Sequence, residues 1–376
     1  MAALLEHIDP EGLEEFSVVF TDRSLNHMSK SFQSVMTDIS GMLKQVYNAD
    51  ATALIPGGGT YGMEAVARQF GRDAKVLVVR NGWFSYRWSQ IFETSSIAAD
   101  VEVMKARRMG NGAQEPFRPA AIEDVVARIH ELRPDVVFAP HVETSAGVIL
   151  PDEYVTALAS AAHDVGAIMV LDCIASGCVW VDMKATGVDV LISAPQKGWS
   201  ASPSAGLVMM SERAVQRLDS TDSDSFAIDL KKWYSIMQTY ENGGHAYHAT
   251  MPTDALRAFR DTMLETKEYG FDKLCDAQWE LGNRVREILK AKGIQSVATD
   301  GFGAPGVVVS YTGDPSIQNG SKFAAEGMQI AAGVPLACDE PEGFMTFRLG
   351  LFGLDKLYNV DGTVARLNRV LDTVLG

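Results

Sequence analysis

Ser193-Ala194-Pro195-Gln196-Lys197-Gly198-Trp199 directly follows an apolar run, Val188 to Ile192, which we predict to be a buried strand. Lys197 therefore lies on a loop at the end of that strand. An amine loses its proton near neutral pH only when it is partly desolvated, and a nucleophile has to be held by rigid backbone. A loop at the end of a buried strand meets both conditions, so Lys197 is the first candidate for a reactive residue.

A second apolar run, Ile168 to Leu171, ends in a carboxylate, Asp172, which precedes Lys197 by 25 residues. A buried carboxylate is costly unless it faces a cation. A protonated pyridine nitrogen is such a cation, and a paired carboxylate keeps the ring able to accept electrons. Asp172 and Lys197 together therefore predict pyridoxal 5'-phosphate as the cofactor.

The composition is that of a globular protein with a large core. Of 376 residues, 47% are hydrophobic and 22% are charged, which is enough for two domains. The net charge is −15 and no run rich in Lys and Arg occurs, so we expect neither nucleic acid nor an anionic membrane as a partner. No stretch of 18 apolar residues is present that could span a bilayer.

Cysteine usage and the N-terminus predict a location. The four cysteines show no CxxC spacing, which is typical of a reduced, cytoplasmic protein without disulfides. Met1 to His7 contains neither a basic segment nor a long apolar one. We therefore expect a cytoplasmic protein without a targeting signal.

Short apolar runs alternate with amphipathic segments of helical length. This alternation predicts an α/β fold in which helices cover a mostly parallel sheet. The predicted strands are Thr52 to Ile55, Val76 to Val79, Val136 to Pro140, Ile168 to Leu171, Val188 to Ile192 and Gly206 to Met210.

A long helical stretch starts at Arg257 and reaches about Lys292, and two further strands follow it, Gly306 to Tyr311 and Thr346 to Arg348. We predict a large cofactor-binding domain over residues 1–255 and a smaller C-terminal domain over residues 256–376.

Gly57-Gly58-Gly59-Thr60-Tyr61-Gly62 follows a predicted strand and opens a helix, Met63 to Phe70. Backbone N–H groups and the helix dipole can hold a phosphate at such a point. The cluster also fits GxGxxG, so a nicotinamide-dependent dehydrogenase is an alternative. That alternative requires an acidic residue about 20 positions on, whereas the next strand ends in Val79-Arg80-Asn81-Gly82.

Four stretches resemble the class V, fold-type I aminotransferases, especially the alanine-glyoxylate and serine-glyoxylate branch. They are Leu171 to Ser176, Ser193 to Lys197, Tyr247 to Pro252 and Phe347 to Gly353, and the resemblance runs from about residue 27 to the C-terminus. It implies a large domain with a mostly parallel sheet of the seven-stranded type and a smaller C-terminal α+β domain.

The resemblance also implies roles for single residues. Gly58, Gly59, Thr60 and Gln196 would hold the cofactor phosphate. Phe84 would stack on the pyridine ring, with the adjacent Trp83 as the alternative. Thr144 follows a strand end, where α/β sheets bind ligands, and we expect it to contact the cofactor's phenolic oxygen or the substrate. Tyr247 and Thr250 would reach the phosphate of the neighbouring subunit. The resemblance therefore implies a homodimer with shared active sites.

Arg348 lies between Phe347 and Leu349 in a predicted strand. A guanidinium can hold the α-carboxylate of an amino acid through two parallel hydrogen bonds, and an ion pair between the domains is the alternative role.

His245 and His248 lack a third ligand, so we expect no metal. We interpret His141 as a hydrogen-bonded core residue and Glu143 as a structural partner.

These residues predict an aminotransferase that moves an amino group from alanine, serine or a similar small amino acid to glyoxylate or pyruvate. Lys197 would form an internal aldimine and then transfer a proton between Cα and the cofactor's C4', as general base and acid, in a ping-pong scheme.

A lyase or cysteine desulfurase on the same fold is the alternative, with Cys338 as its nucleophile, although two following acids would raise the pKa of that thiol. The segment Phe20 to His27 departs from the family's opening loop, which borders the substrate pocket in such enzymes. Arg23, His27 and Arg87 therefore leave open a donor with a second anionic group, such as a phosphonate, a sulfonate or a dicarboxylic acid.

Overall fold

The computed structural model describes residues 7–376. The first six residues, on which the prediction of an untargeted N-terminus partly depends, lie outside that range. The strands are β1 (Ala51–Pro56), β2 (Lys75–Arg80), β3 (Asp100–Lys105), β4 (Arg107–Arg108), β5 (Phe117–Arg118), β6 (Val136–Pro140), β7 (Val142–Glu143), β8 (Val148–Ile149), β9 (Ile168–Asp172), β10 (Val190–Ser193), β11 (Ala205–Met210), β12 (Val307–Tyr311), β13 (Ala331–Ala332) and β14 (Thr346–Gly350).

Helices separate most of these strands. They are α1 (Lys30–Tyr47), α2 (Gly59–Phe70), α3 (Trp83–Thr94), α4 (Ile122–Leu132), α5 (Asp152–Asp164), α6 (Met183–Thr186), α7 (Glu212–Asp219), α8 (Leu230–Glu241), α9 (Thr253–Tyr269), α10 (Phe271–Ala291), α11 (Pro315–Gln318), α12 (Ser321–Ala325), α13 (Leu354–Leu357) and α14 (Val360–Leu375). Among residues 7–376, none of the helices combines the length and the apolar character that crossing a membrane requires.

The central sheet has seven strands in the order β1-β11-β10-β9-β6-β2-β3. Strand β11 is antiparallel to both of its neighbours, and the other adjacent pairs are parallel. The strands β6, β9, β10 and β11 are buried along their whole length, as expected where helices cover both faces of a sheet. The predicted α/β fold with a mostly parallel sheet is confirmed.

The register of the parallel strands determines which loops meet. Asp172 at the end of β9 pairs with Ile192 of β10 on one side and with Pro140 of β6 on the other. The loops that follow these three strands therefore leave the same edge of the sheet, which is where ligands bind in open α/β sheets. Lys197 is on the loop that follows β10.

A smaller sheet, β12-β14-β13, is antiparallel. Arg348, in the middle strand, pairs with Val309 on one side and with Ala331 on the other. Side chains of α10 and α14 pack on this sheet and form a second core. Both strands that the sequence predicted after residue 300 are present.

The predicted long helix consists of two helices, α9 and α10, which meet at Gly270 with a φ of 111°. Phe259 and Met263 of α9 belong to the large core, whereas Leu274 and Leu281 of α10 belong to the second core. The domain boundary near residue 255 stays a prediction.

The edge strand β3 was not predicted. Its sequence, Asp100-Val101-Glu102-Val103-Met104-Lys105, mixes apolar and charged residues, and each of them keeps some solvent exposure. An edge strand needs no continuous apolar run because it is covered on one side only and tolerates charge. Strand β10 also begins two residues later than predicted, at Val190.

The contact between α2 and β11 offers a test of the fold. A Cβ on Gly206 would lie 2.6 Å from the Gly62 nitrogen, so helix and strand must separate in Gly206→Ala, and we expect a loss of about 1 to 3 kcal/mol in the free energy of unfolding. Gly41→Ala is the matched control, because Gly41 is in α1 with no atom near its missing Cβ; it should stabilise by up to about 1 kcal/mol. Urea unfolding measures both variants, and equal effects of the two substitutions would contradict the packing.

Candidate active site

A cavity of about 190 Å³ opens at the carboxyl edge of the central sheet. Its lining comes from the starts of α2 and α3 and from the loops after β6, β9 and β10. It brings together seven of the predicted site residues: Gly59, Thr60, Phe84, Thr144, Asp172, Gln196 and Lys197. Met63, Arg87, Val142, Ile174 and Ala175 complete the wall; of these, the sequence had singled out Arg87 alone.

Asp172 is the last residue of β9 and is 7% exposed. Its Oδ1 accepts a hydrogen bond from the Ile174 N–H at 2.9 Å. Burial raises the pKa of the carboxyl to about 7. The Ile174 hydrogen bond opposes this, the nearby negative charge of Glu143 adds to it, and the positive charge of Arg87 opposes it to a smaller extent. Among residues 7–376 no Lys, Arg or His is within ion-pair distance of Asp172. The site therefore suits a ligand that brings its own cation, as a pyridinium ring does.

Lys197 extends into the same cavity, with Nζ 5.4 Å from the centroid of the Phe352 ring. Burial lowers the pKa of the amine, and the positive charges of Arg348 and Arg87 lower it further. The loop that carries Lys197 packs on the loop after β9 so tightly that a Cβ on Gly198 would overlap the carbonyl of Gly177. This contact holds Lys197 and Asp172 in one rigid unit.

Helix α2 begins beside the cavity with Gly58 as its N-cap and Gly59 as its first residue. The N–H groups of a first helical turn have no partner within the helix, and they favour an anion together with the helix dipole. The Gln196 Oε1 is buried without a hydrogen-bond partner in the described part of the chain. An amide oxygen accepts, so this atom fits a ligand group that donates to it. It is the start of α2 that suits this side of the cavity to a phosphate.

Phe84, at the start of α3, lies between two arginines. The guanidinium carbon of Arg87 is 5.3 Å from the centroid of its ring and that of Arg348 is 5.5 Å away. The Arg348 Nε donates to the Ala332 carbonyl at 2.8 Å and its Nη1 to the Thr144 carbonyl at 3.5 Å. Within residues 7–376 neither arginine has a carboxylate within 4.0 Å, so the ion pair between domains that the sequence left open for Arg348 is not observed.

Glu143 fixes the start of α3. This buried carboxylate accepts hydrogen bonds from the backbone N–H groups of Phe84 and Ser85, and from both the N–H and the hydroxyl of Ser145. His141 is also buried; its Nδ1 is 2.7 Å from the Ser176 hydroxyl, and burial lowers its pKa to about 4. The geometry agrees with a structural role for both residues.

Tyr247 and Thr250 do not line this cavity. The Tyr247 side chain is 51% exposed and its hydroxyl is 2.9 Å from that of Thr250. The ring of His27 packs 5.4 Å from the Tyr247 ring, so the atypical N-terminal segment contacts this loop. Neither His27 nor Arg23 lines the cavity of its own chain.

Cys338 is a poor nucleophile in this structure. It is 3% exposed, and its Sγ donates to the Arg80 carbonyl at 3.5 Å. Burial, followed by the charges of Glu143 and Glu340, raises the pKa of the thiol to about 12. A desulfurase needs a thiolate, and the buried, hydrogen-bonded Cys338 keeps its proton near neutral pH.

Comparison with known proteins agrees with this geometry. The sequence profile "Aminotransferase class-V" matches residues 13–302. A 2-aminoethylphosphonate–pyruvate transaminase of Paraburkholderia phymatum is 28% identical over 357 residues, which cover 93% of this chain and 89% of the relative. Alanine–glyoxylate aminotransferase 1 of Saccharomyces cerevisiae is 25% identical over 310 residues, 78% of each chain.

Solved structures show the same fold. The crystal structure of an alanine–glyoxylate aminotransferase from Nostoc sp. superposes with a TM-score of 0.77 at 21% identity, and the match covers 93% of this chain and 89% of that one. The profile match spans most of the chain, which excludes the nicotinamide-dependent dehydrogenase that the glycine cluster had left open. The chain therefore belongs to the class-V aminotransferases, and it is a transaminase of fold type I that depends on pyridoxal 5'-phosphate.

Proposed function

We propose that this enzyme transfers an amino group from a small donor, such as alanine or serine, to a small 2-oxo acid, such as pyruvate or glyoxylate, by a ping-pong mechanism. The observation that carries the proposal is that Lys197 and Asp172 line one small cavity and that Arg348 lies next to it, with its guanidinium carbon 5.5 Å from the ring centroid of Phe84, which is part of the lining. The two relatives compared above act, by their names, on pyruvate and on glyoxylate as amino acceptors, which supports an acceptor of this size.

When bound, pyridoxal phosphate supplies an aldehyde that condenses with amines and a ring that accepts electrons. Lys197 is suited to take a proton from the donor's Cα and to return it, because its lowered pKa leaves more of the amine neutral near neutral pH. Asp172 is suited to keep the ring nitrogen protonated, because its carboxylate is buried at the cavity wall. These roles are part of the proposal.

Arg348 is suited to bind the α-carboxylate of the donor and of the 2-oxo acid. Its Nε and one Nη are held by the carbonyls of Ala332 and Thr144, which fixes the plane of the guanidinium. No carboxylate of the described chain competes for it, and burial lowers its pKa. A planar, uncompensated guanidinium favours a bidentate carboxylate.

The shared active site of a homodimer is part of the same proposal. Tyr247 and Thr250 are joined to each other by an exposed hydrogen bond and do not line the cavity of their own chain, which is compatible with a contact to the phosphate of a second subunit. A cytoplasmic location stays a prediction, in keeping with the four cysteines, which form no disulfide among the described residues.

The first test concerns Arg348. Arg348→Gln removes a charged double hydrogen bond worth about 1.5 to 3 kcal/mol, so the KM for pyruvate or glyoxylate should rise roughly 10-fold to 100-fold. The measurement is the steady-state rate of amino transfer from alanine. Arg107→Gln, at an exposed arginine of β4, is the control, and Lys197→Ala should show no transfer. An unchanged KM in Arg348→Gln would remove Arg348 from the carboxylate site.

Subunit mixing tests the shared site. Lys197→Ala and Tyr247→Ala should each be nearly inactive, but a mixed dimer contains one site with a native Lys197 and a native Tyr247 from the other subunit. Co-refolding equal amounts should therefore restore about a quarter of the native activity, since half of the dimers are mixed and each has one intact site. No recovery above the sum of the separate variants would place Tyr247 in the site of its own chain.

The pKa of Asp172 gives a pH dependence. In the unfolded chain an aspartate has a pKa of about 3.9, and burial raises it to about 7 in the cofactor-free fold. The native state thus holds the proton more tightly, so the free energy of unfolding decreases as the pH rises from about 4 to about 7 and is level above that.

Asp172→Asn lacks this titration. In cofactor-free protein the stability of Asp172→Asn relative to the native chain should therefore increase across the same pH range, as urea unfolding at several pH values would show. At saturating cofactor the difference in free energy of unfolding should no longer vary with pH, because the ring cation keeps the native carboxylate ionised. A difference that does not vary with pH would contradict a buried, unpaired Asp172.

A further inference from the structure

One of the three cations at the cavity has no role in the proposed function. Lys197 and Arg87 line it, and Arg348, which is not part of the lining, contacts two residues that are, through the ring of Phe84 and the carbonyl of Thr144. Lys197 serves the aldehyde and Arg348 serves a carboxylate in the proposed function. Arg87 is left without an assigned anion, and no carboxylate of the described chain forms an ion pair with it.

The proposed phosphate site lacks a cation. Its groups are the free N–H groups at the start of α2, the Thr60 hydroxyl and the Gln196 amide, and all of them are neutral. A phosphate monoester carries a charge of about −1.5 to −2 near neutral pH, whereas a helix N-terminus contributes only about half a positive charge. The charge of the phosphate therefore calls for one more positive group.

Arg87 is in contact with that site. Its Nη1 donates to the Thr60 Oγ1 at 3.0 Å. A guanidinium has only donors, so the Thr60 oxygen must accept, and the hydroxyl proton is left to donate to another group. A hydroxyl that accepts from a cation becomes a stronger donor. Arg87 is on α3, one turn after Phe84, whose ring its guanidinium covers.

We propose that Arg87 is the cationic partner of the cofactor phosphate and that it acts through Thr60, whose hydroxyl it orients as a donor. The proposal rests on the phosphate site of the proposed function. It makes Arg87 a positioning residue for the cofactor. The alternative that the sequence left open, a contact between Arg87 and a second anionic group on the donor, is an outcome of the test below.

The contact with Thr60 favours the phosphate over the donor. Thr60 is the second residue of α2, where the free N–H groups are, while the carboxylate site at Arg348 is approached from β13, β14 and Thr144. A group that is hydrogen-bonded to the phosphate cradle is placed to neutralise the anion bound there.

The test measures how tightly the cofactor-free protein binds two compounds that differ only in the phosphate, pyridoxal 5'-phosphate and pyridoxal. Arg87→Gln should weaken binding of the phosphate ester about 10-fold to 100-fold, as the loss of a charged hydrogen bond predicts, and leave the constant for pyridoxal within about twofold. Arg87→Lys keeps the charge and should recover part of the affinity. Arg72→Gln, at a partly exposed arginine just after α2 that pairs with Asp73, should bind both compounds normally.

Thr60→Val tests the route through the hydroxyl and stands in for Arg87→Gln if that variant does not fold, which thermal unfolding of the cofactor-free proteins would show. Thr60→Val should weaken binding of the phosphate ester but not of pyridoxal. Because Arg87 and Thr60 act as a pair, the loss of binding free energy in the double variant Arg87→Gln/Thr60→Val should be smaller than the sum of the losses in the two single variants. Equal losses for ester and pyridoxal, or no loss for either, would overturn the proposal. The proposal would also be overturned if Arg87→Gln bound the ester with unchanged affinity and raised the KM only for donors that carry a second anionic group.

Both binding constants are measured without an amino donor. An error in the proposed substrates would therefore leave this result standing, whereas a native chain that bound neither compound would overturn the phosphate site on which the proposal rests.

Discussion

A buried carboxyl group with no cation of residues 7–376 within ion-pair distance is the constraint on which the active site depends. Asp172 ends a strand that is buried along its whole length, and among residues 7–376 its carboxylate accepts one hydrogen bond, from the Ile174 N–H. The free energy cost of ionising a carboxyl in such a place is large, and the raised pKa of about 7 is its direct consequence. A ligand that brings a cation to this wall relieves the cost, so the fold itself favours a protonated ring.

The parallel register places the rest of the site around that group. Because Asp172 and Ile192 are paired, the loop with Lys197 leaves the sheet beside the carboxylate, and the contact between Gly198 and Gly177 holds the two loops together. On the other side, Glu143 binds the first N–H groups of α3. These hydrogen bonds fix the backbone that carries Phe84. The negative charge of Glu143 also raises the pKa of Asp172.

Much of this could be predicted because the signals are local. The central strands are continuous apolar runs, and Asp172 and Lys197 each follow one, so the carboxyl edge of a parallel sheet had to bring them together. Strand β3 was not predicted because its sequence mixes apolar and charged residues at the exposed edge of the sheet and contains no continuous apolar run. The hydrogen bond between Arg87 and Thr60 joins α3 to α2, and the sequence of neither helix alone indicates it. The N-terminal segment was expected at the substrate pocket, but its contact with Tyr247 depends on tertiary packing.

The central claim is that the cavity at the carboxyl edge of the sheet holds the cofactor through Lys197. Reducing the protein with borohydride in the presence of pyridoxal 5'-phosphate, followed by mass spectrometry of its peptides, tests it most directly. We expect the added mass on the peptide that contains Lys197, and we expect Asp172→Asn to lower the yield of that labelled peptide. Labelling spread over surface lysines, or concentrated on another lysine, would contradict cofactor binding through Lys197.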